Sequence, residues 1–145
     1  MARVLIVGCG CRGVELARSL MAEGHAVRGT TRRPERADEL RALGIDPWVG
    51  DPDRVGSLVY AQDNVTVLCW LLGRVPSEAL HGPRLRMMLE KTVDTMVRGF
   101  AYEPPDDRAL RAEGLAVVAE AARTWEIPTA VVEGDPRAAV DRLLV

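Results

Sequence analysis

The stretch that decides the fold is Val4-Leu5-Ile6-Val7-Gly8-Cys9-Gly10-Cys11-Arg12-Gly13. Its first four residues form a continuous apolar run that stops at a glycine, which is typical of a strand buried on both faces. The glycines that follow fit the pattern G-x-G-x-x-G. Apolar residues then recur at helical spacing until Gly24, where the helix is expected to end. The stretch therefore predicts a strand, a tight turn and a helix in direct succession.

The glycine turn is suited to hold phosphate groups. Gly8 permits the tight turn, Gly10 lets a diphosphate approach the backbone, and Gly13 allows the helix to pack closely on the strand. The start of the helix offers unpaired N–H groups and the positive end of the helix dipole. We therefore predict a dinucleotide at this loop; the alternative is a glycine-rich turn with no ligand. The predicted contacts include the three other members of the loop, Cys9, Cys11 and Arg12.

Outward from this stretch, strands and helices alternate along the whole chain. We predict strands at residues 4–7, 26–30, 46–49, 65–72, 96–102 and 128–133. The predicted helices cover 11–23, 34–43, a short segment opened by 51–53, 77–92 with a break at Gly82-Pro83, 108–125 and a short segment after 135–136. Strict alternation predicts a parallel sheet with helices on both faces, in the doubly wound Rossmann order 3-2-1-4-5-6. We expect residues 1–145 to form a single domain.

Composition and charge exclude several classes of partner. The net charge of −2 gives no general attraction to nucleic acid or to an anionic membrane, and no apolar run reaches membrane-spanning length. The apolar run near the amino end is too short for a signal peptide. Three cysteines are too few for a disulfide framework, so we expect a cytoplasmic protein. We also expect no bound metal, and a homodimer, because so small a Rossmann domain commonly dimerises to complete a cleft.

The end of the second predicted strand indicates which dinucleotide binds. NAD-binding proteins usually place Asp or Glu there to bind the ribose 2′-hydroxyl. Here the residues are Thr30, Thr31, Arg32 and Arg33, and the first carboxylate is Glu35. Two hydroxyls and two guanidinium groups suit a 2′-phosphate, so we predict NADP(H) rather than NAD(H). The alternative is that the arginines are simply solvated.

Three further residues are predicted to contact the ligand. Asp51 follows the third strand, where it can accept a hydrogen bond from the adenine amino group; the alternative is a helix N-cap beside Pro52. Trp70 and Leu71 end the most apolar run, and we expect them to border the nicotinamide half of the cleft. Arg12 is expected to add charge near the ribose phosphate.

About half of the chain, from Arg3 to Gly73, carries a pattern seen in one protein family. The matching residues are Val4-Leu5-Ile6-Val7-Gly8-Cys9-Gly10, Gly13, Glu23-Gly24-His25-Ala26-Val27, Thr30-Thr31-Arg32, Val49-Gly50-Asp51 and Val65-Thr66-Val67. They resemble the atypical short-chain dehydrogenase/reductases of the NAD(P)-dependent epimerase/dehydratase type. The resemblance implies a Rossmann fold with NADP(H) at the glycine loop, held by Gly8, Gly10 and Gly13. It also suggests the adenine role for Asp51.

The catalytic Tyr-x-x-x-Lys of that family is missing. Neither Tyr60 nor Tyr102 has a lysine four residues on, and Lys91 is the sole lysine. The lysine lowers the tyrosine pKa in that mechanism, so the family's catalytic roles cannot be transferred to this chain. The candidates that remain are His81, Tyr102 and Glu103. For these, the alternatives are a surface histidine and a tyrosine that packs its ring at the end of a strand.

Two hypotheses about function follow from these patterns. The first is an NADP(H)-binding, oxidoreductase-like protein with an unidentified small-molecule substrate. The second is a non-catalytic dinucleotide-binding sensor or regulatory module, favoured by the missing catalytic pair. A Rossmann domain with a vestigial cofactor site is a third possibility. Cys9 and Cys11 are interpreted as small residues that fill a tight loop, the alternative being an oxidation-sensitive thiol at Cys11.

Overall fold

A computed structural model describes residues 2–145 and contains one six-stranded parallel sheet. The strands are β1 (Arg3–Val7), β2 (Ala26–Thr31), β3 (Asp46–Val49), β4 (Val67–Trp70), β5 (Gly99–Tyr102) and β6 (Thr129–Val131). Their order across the sheet is β3-β2-β1-β4-β5-β6. The predicted fold class and strand order are therefore confirmed. The order in which strands are added reverses after β3, since β2 and β3 lie on one side of β1 and β4 to β6 lie on the other. In such folds, ligands bind in the crevice between β1 and β4.

Three strands are shorter than predicted. The apolar run 65–72 pairs as a strand only over β4, because its ladder with β1 stops where Val7 pairs with Trp70. Leu71 and Leu72 are buried for a different reason, since they pack against the turn at Gly8. Likewise, the predicted strands 96–102 and 128–133 shrink to β5 and β6. The continuous hydrophobicity of residues 65–72 thus reflects burial beyond the hydrogen-bonded ladder, whereas Met96 and Arg98, ahead of β5, are exposed.

Five α-helices connect the strands. They are α1 (Cys11–Met21), α2 (Ala37–Ala42), α3 (Pro83–Thr92), α4 (Arg108–Trp125) and α5 (Pro136–Leu144). Asp107 and Asp135 cap α4 and α5, each accepting a hydrogen bond from a backbone N–H in the first turn. No helix within residues 2–145 combines the length and apolar character needed to cross a membrane.

Two helix predictions need correction. The segment opened by residues 51–53 forms two 3₁₀ turns, Val55–Leu58 and Tyr60–Gln62, so Asp51 does not cap a helix there. The break predicted at Gly82-Pro83 coincides with the start of α3, but residues 78–82 form turns, so only the second part of the helix predicted at 77–92 is present. Pro83 has no N–H to continue a preceding helix, and its ring disfavours helical backbone at Gly82.

The core lies on both faces of the sheet. Side chains alternate along β1, so Leu5 and Val7 point to the face covered by α3 and α4, while Val4 and Ile6 point to the other. The first face contains three large, fully buried aromatic rings of the strands, Trp70, Phe100 and Tyr102. The second is packed with smaller residues from α1, α2 and α5. This double cover leaves the carboxyl ends of the strands as the place where polar groups converge.

Candidate functional site

A cavity of about 380 Å³ lies at the carboxyl ends of β1, β2 and β3. Its walls are the glycine loop, the end of β2, the turn after β3 and the segment after β4. Nine of the predicted contact residues line it: Gly8, Cys9, Gly10, Thr30, Thr31, Arg32, Arg33, Asp51 and Leu71. The other four, Cys11, Arg12, Gly13 and Trp70, do not. The sequence thus placed most of the predicted contacts around one hollow.

Glycine has a different structural role at each of the three loop positions, Gly8, Gly10 and Gly13. Gly8 has φ +93°, and a Cβ there would lie 2.5 Å from the carbonyl oxygen of Leu71. Gly13 sits against β1, where a Cβ would be 3.0 Å from the carbonyl oxygen of Gly8. By contrast, a Cβ at Gly10 would meet no atom within 4 Å. Gly10 therefore leaves open space at the cavity, as expected where a ligand approaches the backbone.

The start of α1 is free of competing groups. Gly10 is the N-cap residue, no side chain caps this end, and the first turn contains no acidic residue. The first N–H groups of a helix lack partners within the helix, and the dipole is positive at this end. The loop is held in place from β2, because the Gly8 N–H donates to Thr30 Oγ1 at 3.3 Å. This arrangement is suited to an anion such as a diphosphate.

Three arginines surround the end of β2. Arg32 and Arg33 are exposed at the cavity mouth, and the half-buried Arg36 donates from Nη2 to the Cys9 carbonyl at 3.2 Å. Sequence reasoning missed Arg36 because it was counted as part of the next helix. Its position three residues after Arg33 was the available signal, since that spacing returns a helical chain to the same side. Fixed positive charge is thus concentrated beside the glycine loop.

The carboxylates of the cavity belong to the turn after β3. Asp51 and Asp53 line the wall there, and Asp51 Oδ1 accepts a hydrogen bond from the Asp53 N–H at 2.9 Å. Asp51 therefore closes a local turn, and part of its hydrogen-bonding capacity is used within the chain. The end of β2 itself contributes hydroxyl groups and guanidinium groups to the cavity, and it contributes no carboxylate.

His81 stabilises the segment after β4, which forms one wall of the cavity. It is fully buried, with Nε2 3.1 Å from the Leu72 carbonyl and 3.0 Å from the Val75 carbonyl. Carbonyls only accept, so Nε2 carries the proton, and the Tyr102 hydroxyl donates to Nδ1 at 2.8 Å. Burial lowers the His81 pKa, which favours this neutral form. His81 is neither a surface histidine nor an acid–base group in the cleft, and both expectations are corrected.

The two other catalytic candidates are also engaged. Tyr102 is fully buried beside Gly114, and burial raises its pKa. The prediction of a strand-end tyrosine packing its ring describes it better than a proton donor does. Glu103 is 7% exposed, accepts a hydrogen bond from the Gly73 N–H at 2.8 Å, and forms an ion pair with Arg12. Neither group is available as a free acid or base in this arrangement.

Two predicted contacts lie elsewhere. Arg12 turns to Glu103 and lines hollows at the β4–β6 side, so it adds no charge at the end of β2. Trp70 does not border the cleft, because its ring packs near Phe100 in the core and its Nε1–H donates to the Leu80 carbonyl at 3.0 Å. Trp70 was misplaced because alternation cannot be seen in a run that is apolar throughout. Leu72, which the sequence analysis passed over, lines the cavity beside Leu71.

The described residues support neither thiol chemistry at Cys9 nor a metal site. Cys9 is 3% exposed, and its Sγ packs against the faces of Gly13 and Gly29 that lack a Cβ. Burial raises the Cys9 pKa to about 11, so the thiol stays protonated and acts as packing. Cys11 is exposed at the start of α1. Within residues 2–145, no three His, Cys, Asp or Glu residues gather in a way that could hold a metal.

Comparison with known proteins gives a shared fold. No family model matches the chain, and no curated protein matches it. Among solved structures, Citrobacter sp. triphenylmethane reductase complexed with NADP(H) has a TM-score of 0.73 at 23% identity, over 89% of this chain and 48% of that one. Alfalfa vestitone reductase gives 0.73 at 14%, over 90% and 56%. Bacillus cereus UDP-glucuronic acid 4-epimerase in complex with NAD gives 0.68 at 13%, over 89% and 54%. The chain thus spans about half the length of these proteins.

Proposed function

We propose that the chain binds a nicotinamide dinucleotide in the 380 Å³ cavity and prefers NADP(H) to NAD(H), as an oxidoreductase-like protein with a small-molecule substrate. The observation that carries the proposal is the charge at the end of β2. Arg32, Arg33 and Arg36 line the cavity there, and the end of β2 contributes no carboxylate that could bind a free 2′-hydroxyl. A guanidinium group pairs with phosphate through charge-assisted hydrogen bonds, which NAD(H) has no 2′-phosphate to accept.

The residues present fit such a ligand. The start of α1 and the open space at Gly10 would hold the diphosphate, and the three arginines would hold the 2′-phosphate. The turn at Asp51 would enclose the adenine end. Leu71, which was predicted to border the nicotinamide half, lines this same cavity and would contact the adenosine half instead. When bound, a nicotinamide cofactor supplies hydride transfer, and the role of the chain is to position and orient it. The neighbouring structure of triphenylmethane reductase with NADP(H) supports the same cofactor class.

A specific observation favours a second candidate, a non-catalytic dinucleotide-binding sensor or regulatory module. Tyr102 and His81 bond to each other in the core, and Glu103 is paired with Arg12. All three candidate catalytic groups are therefore engaged in structural contacts. Following NADPH absorbance with a panel of carbonyl substrates separates the two candidates. Turnover by the purified chain would favour the oxidoreductase.

The cofactor preference can be tested by calorimetric titration with NADPH and NADH. We expect NADPH to bind at least about tenfold more tightly, since one charge-assisted contact contributes on the order of 1.5–3 kcal/mol. The double variant Arg32→Gln/Arg33→Gln should lose most of that preference while NADH affinity changes by less than about twofold. Arg36 is left in place because it also bonds the Cys9 carbonyl.

A matched control carries the same change of charge elsewhere. Arg98→Gln/Arg123→Gln removes two exposed arginines at the opposite edge of the sheet, before β5 and near the end of α4. This control should retain the preference for NADPH. Equal or stronger binding of NADH by the unaltered chain would overturn the NADP(H) proposal. If neither ligand bound, the cavity would be vestigial.

A further inference from the structure

The carboxyl ends of β4 and β5 are bridged by one nearly buried carboxylate. Glu103 follows β5, and its Oε1 accepts a hydrogen bond from the Gly73 N–H at 2.8 Å and from Arg12 Nη1 at 3.2 Å. Arg12 belongs to the glycine loop and lies in the first turn of α1. We call this ion pair the Arg12–Glu103 clasp. It joins the phosphate-binding helix to the ends of two strands on the far side of the crevice.

The position of the clasp matters because of the fold. A doubly wound sheet binds one mononucleotide over each half, on either side of the reversal between β1 and β4. The open cavity lies over β1–β3 and includes neither Arg12, Gly73 nor Glu103. These three residues instead line a separate hollow of about 350 Å³ over β4–β6. The clasp therefore lies in the half that the nicotinamide nucleotide would need.

The clasp is well protected from solvent. The side chain of Glu103 is 9% exposed and that of Arg12 is 25% exposed, so salt screens the pair less than a surface pair. The carboxylate approaches so closely that a Cβ at Gly73 would lie 2.5 Å from Glu103 Cγ. Opening the clasp separates two charges and leaves the carboxylate largely buried, which is unfavourable. The paired state of the clasp is thus the stable one.

We infer that the Arg12–Glu103 clasp makes the chain selective for the adenosine 2′,5′-bisphosphate part of the ligand and blocks the nicotinamide half from reaching the hollow over β4–β6. This inference rests on the proposed function. A ligand confined to the cavity over β1–β3 leaves the clasp intact. A full dinucleotide binds only the fraction of molecules in which the clasp is open, so its apparent affinity is reduced by that fraction.

The experiment compares two probes, adenosine 2′,5′-bisphosphate and NADPH, by calorimetric titration of the full chain. In the unaltered chain we expect the two dissociation constants to agree within about threefold, because the extra half of NADPH gains little while it must open the clasp. Glu103→Gln keeps an acceptor for the Gly73 N–H but removes the charge that holds Arg12. It should strengthen NADPH binding about tenfold relative to adenosine 2′,5′-bisphosphate.

Two further variants make the result decisive. Arg12→Gln removes the other partner, whose side chain is more exposed, and should shift the ratio in the same direction even if Glu103→Gln fails to fold. Glu120→Gln is the matched control, because it breaks an exposed ion pair with Arg86 (3.3 Å) that lines neither the cavity nor the hollow over β4–β6, and it should leave the ratio unchanged. An unchanged ratio in both clasp variants, with both probes binding, would overturn the clasp alone. Failure of both probes to bind would overturn the proposed function and, with it, this inference.

Discussion

The two halves of the crevice differ in how their polar groups are used. Over β1–β3, the glycine loop and three arginines face an open cavity and have few partners within the chain. Over β4–β6, Glu103 is paired with Arg12, and Tyr102 bonds His81 in the core. The first half has the features of a binding surface, whereas the second is stabilised by its own contacts. We therefore propose that the half over β1–β3 recognises the ligand while the half over β4–β6 is held by structural contacts, and the variants below test that difference.

The largest expected effect is at the turn of the open half. Gly8→Ala should lower the free energy of unfolding by about 3 kcal/mol, because it combines positive φ with a Cβ 2.5 Å from the Leu71 carbonyl oxygen. Denaturant unfolding measures the change. Gly24→Ala shares the positive φ (+88°) but meets no atom within 4 Å, so it should cost only about 1 kcal/mol. Equal effects at Gly8 and Gly24 would show that the turn can shift.

Low pH should lower the stability of the segment after β4, which His81 holds in place. Burial keeps the His81 pKa below its ordinary value of 6.5, so the unfolded chain binds the proton more readily. The stability from neutral His81 is therefore present above pH 6.5 and is lost as the pH falls below it, by up to about 1.4 kcal/mol per pH unit. Glu113 favours the charged form and moderates the loss, while Tyr102 faces Nδ1 as a donor.

The His81 prediction is checked by measuring stability against pH between 6.5 and 5. His81→Gln should be less stable at neutral pH and should lose this part of the slope. His25→Gln removes the other histidine, which bonds the backbone N–H of Ala2 outside this network, and should retain the slope. Identical slopes in all three proteins would rule out His81 as the group responsible.

The smallest expected effect concerns Trp70, which was predicted to border the cleft and lies in the core instead. Trp70→Phe removes the hydrogen bond to the Leu80 carbonyl and should cost about 1 kcal/mol of stability. NADPH affinity should change by less than about twofold, since the ring lies in the core. Leu71→Ala, one residue on, removes a side chain that lines the cavity and should weaken binding. A tenfold loss of NADPH affinity in Trp70→Phe would show that Trp70 contributes to the binding site.

Prediction from sequence succeeded where the determinants are local. The strand, the glycine turn and the helix are contiguous, and the alternation of elements then limits the sheet to very few orders. It failed where partners are distant along the chain. Arg12 and Glu103 are 91 residues apart, and no pattern around either indicates the pair. His81 is buried only because the chain folds back on Leu72 and Val75 and brings it to Tyr102 on β5, so its local sequence indicated a surface residue.

The burial of Cys9 has a practical consequence for optical measurements. Its sulfur lies beneath Gly29, and the third cysteine, Cys69, is fully enclosed with its pKa raised to about 12 by that enclosure. Thiol-specific reagents attack the thiolate of accessible cysteines, which leaves Cys11 as the reactive position. A single fluorophore can therefore be attached at the first residue of α1 without replacing the other two cysteines. The glycine loop thus contains its own labelling site, one residue from the clasp.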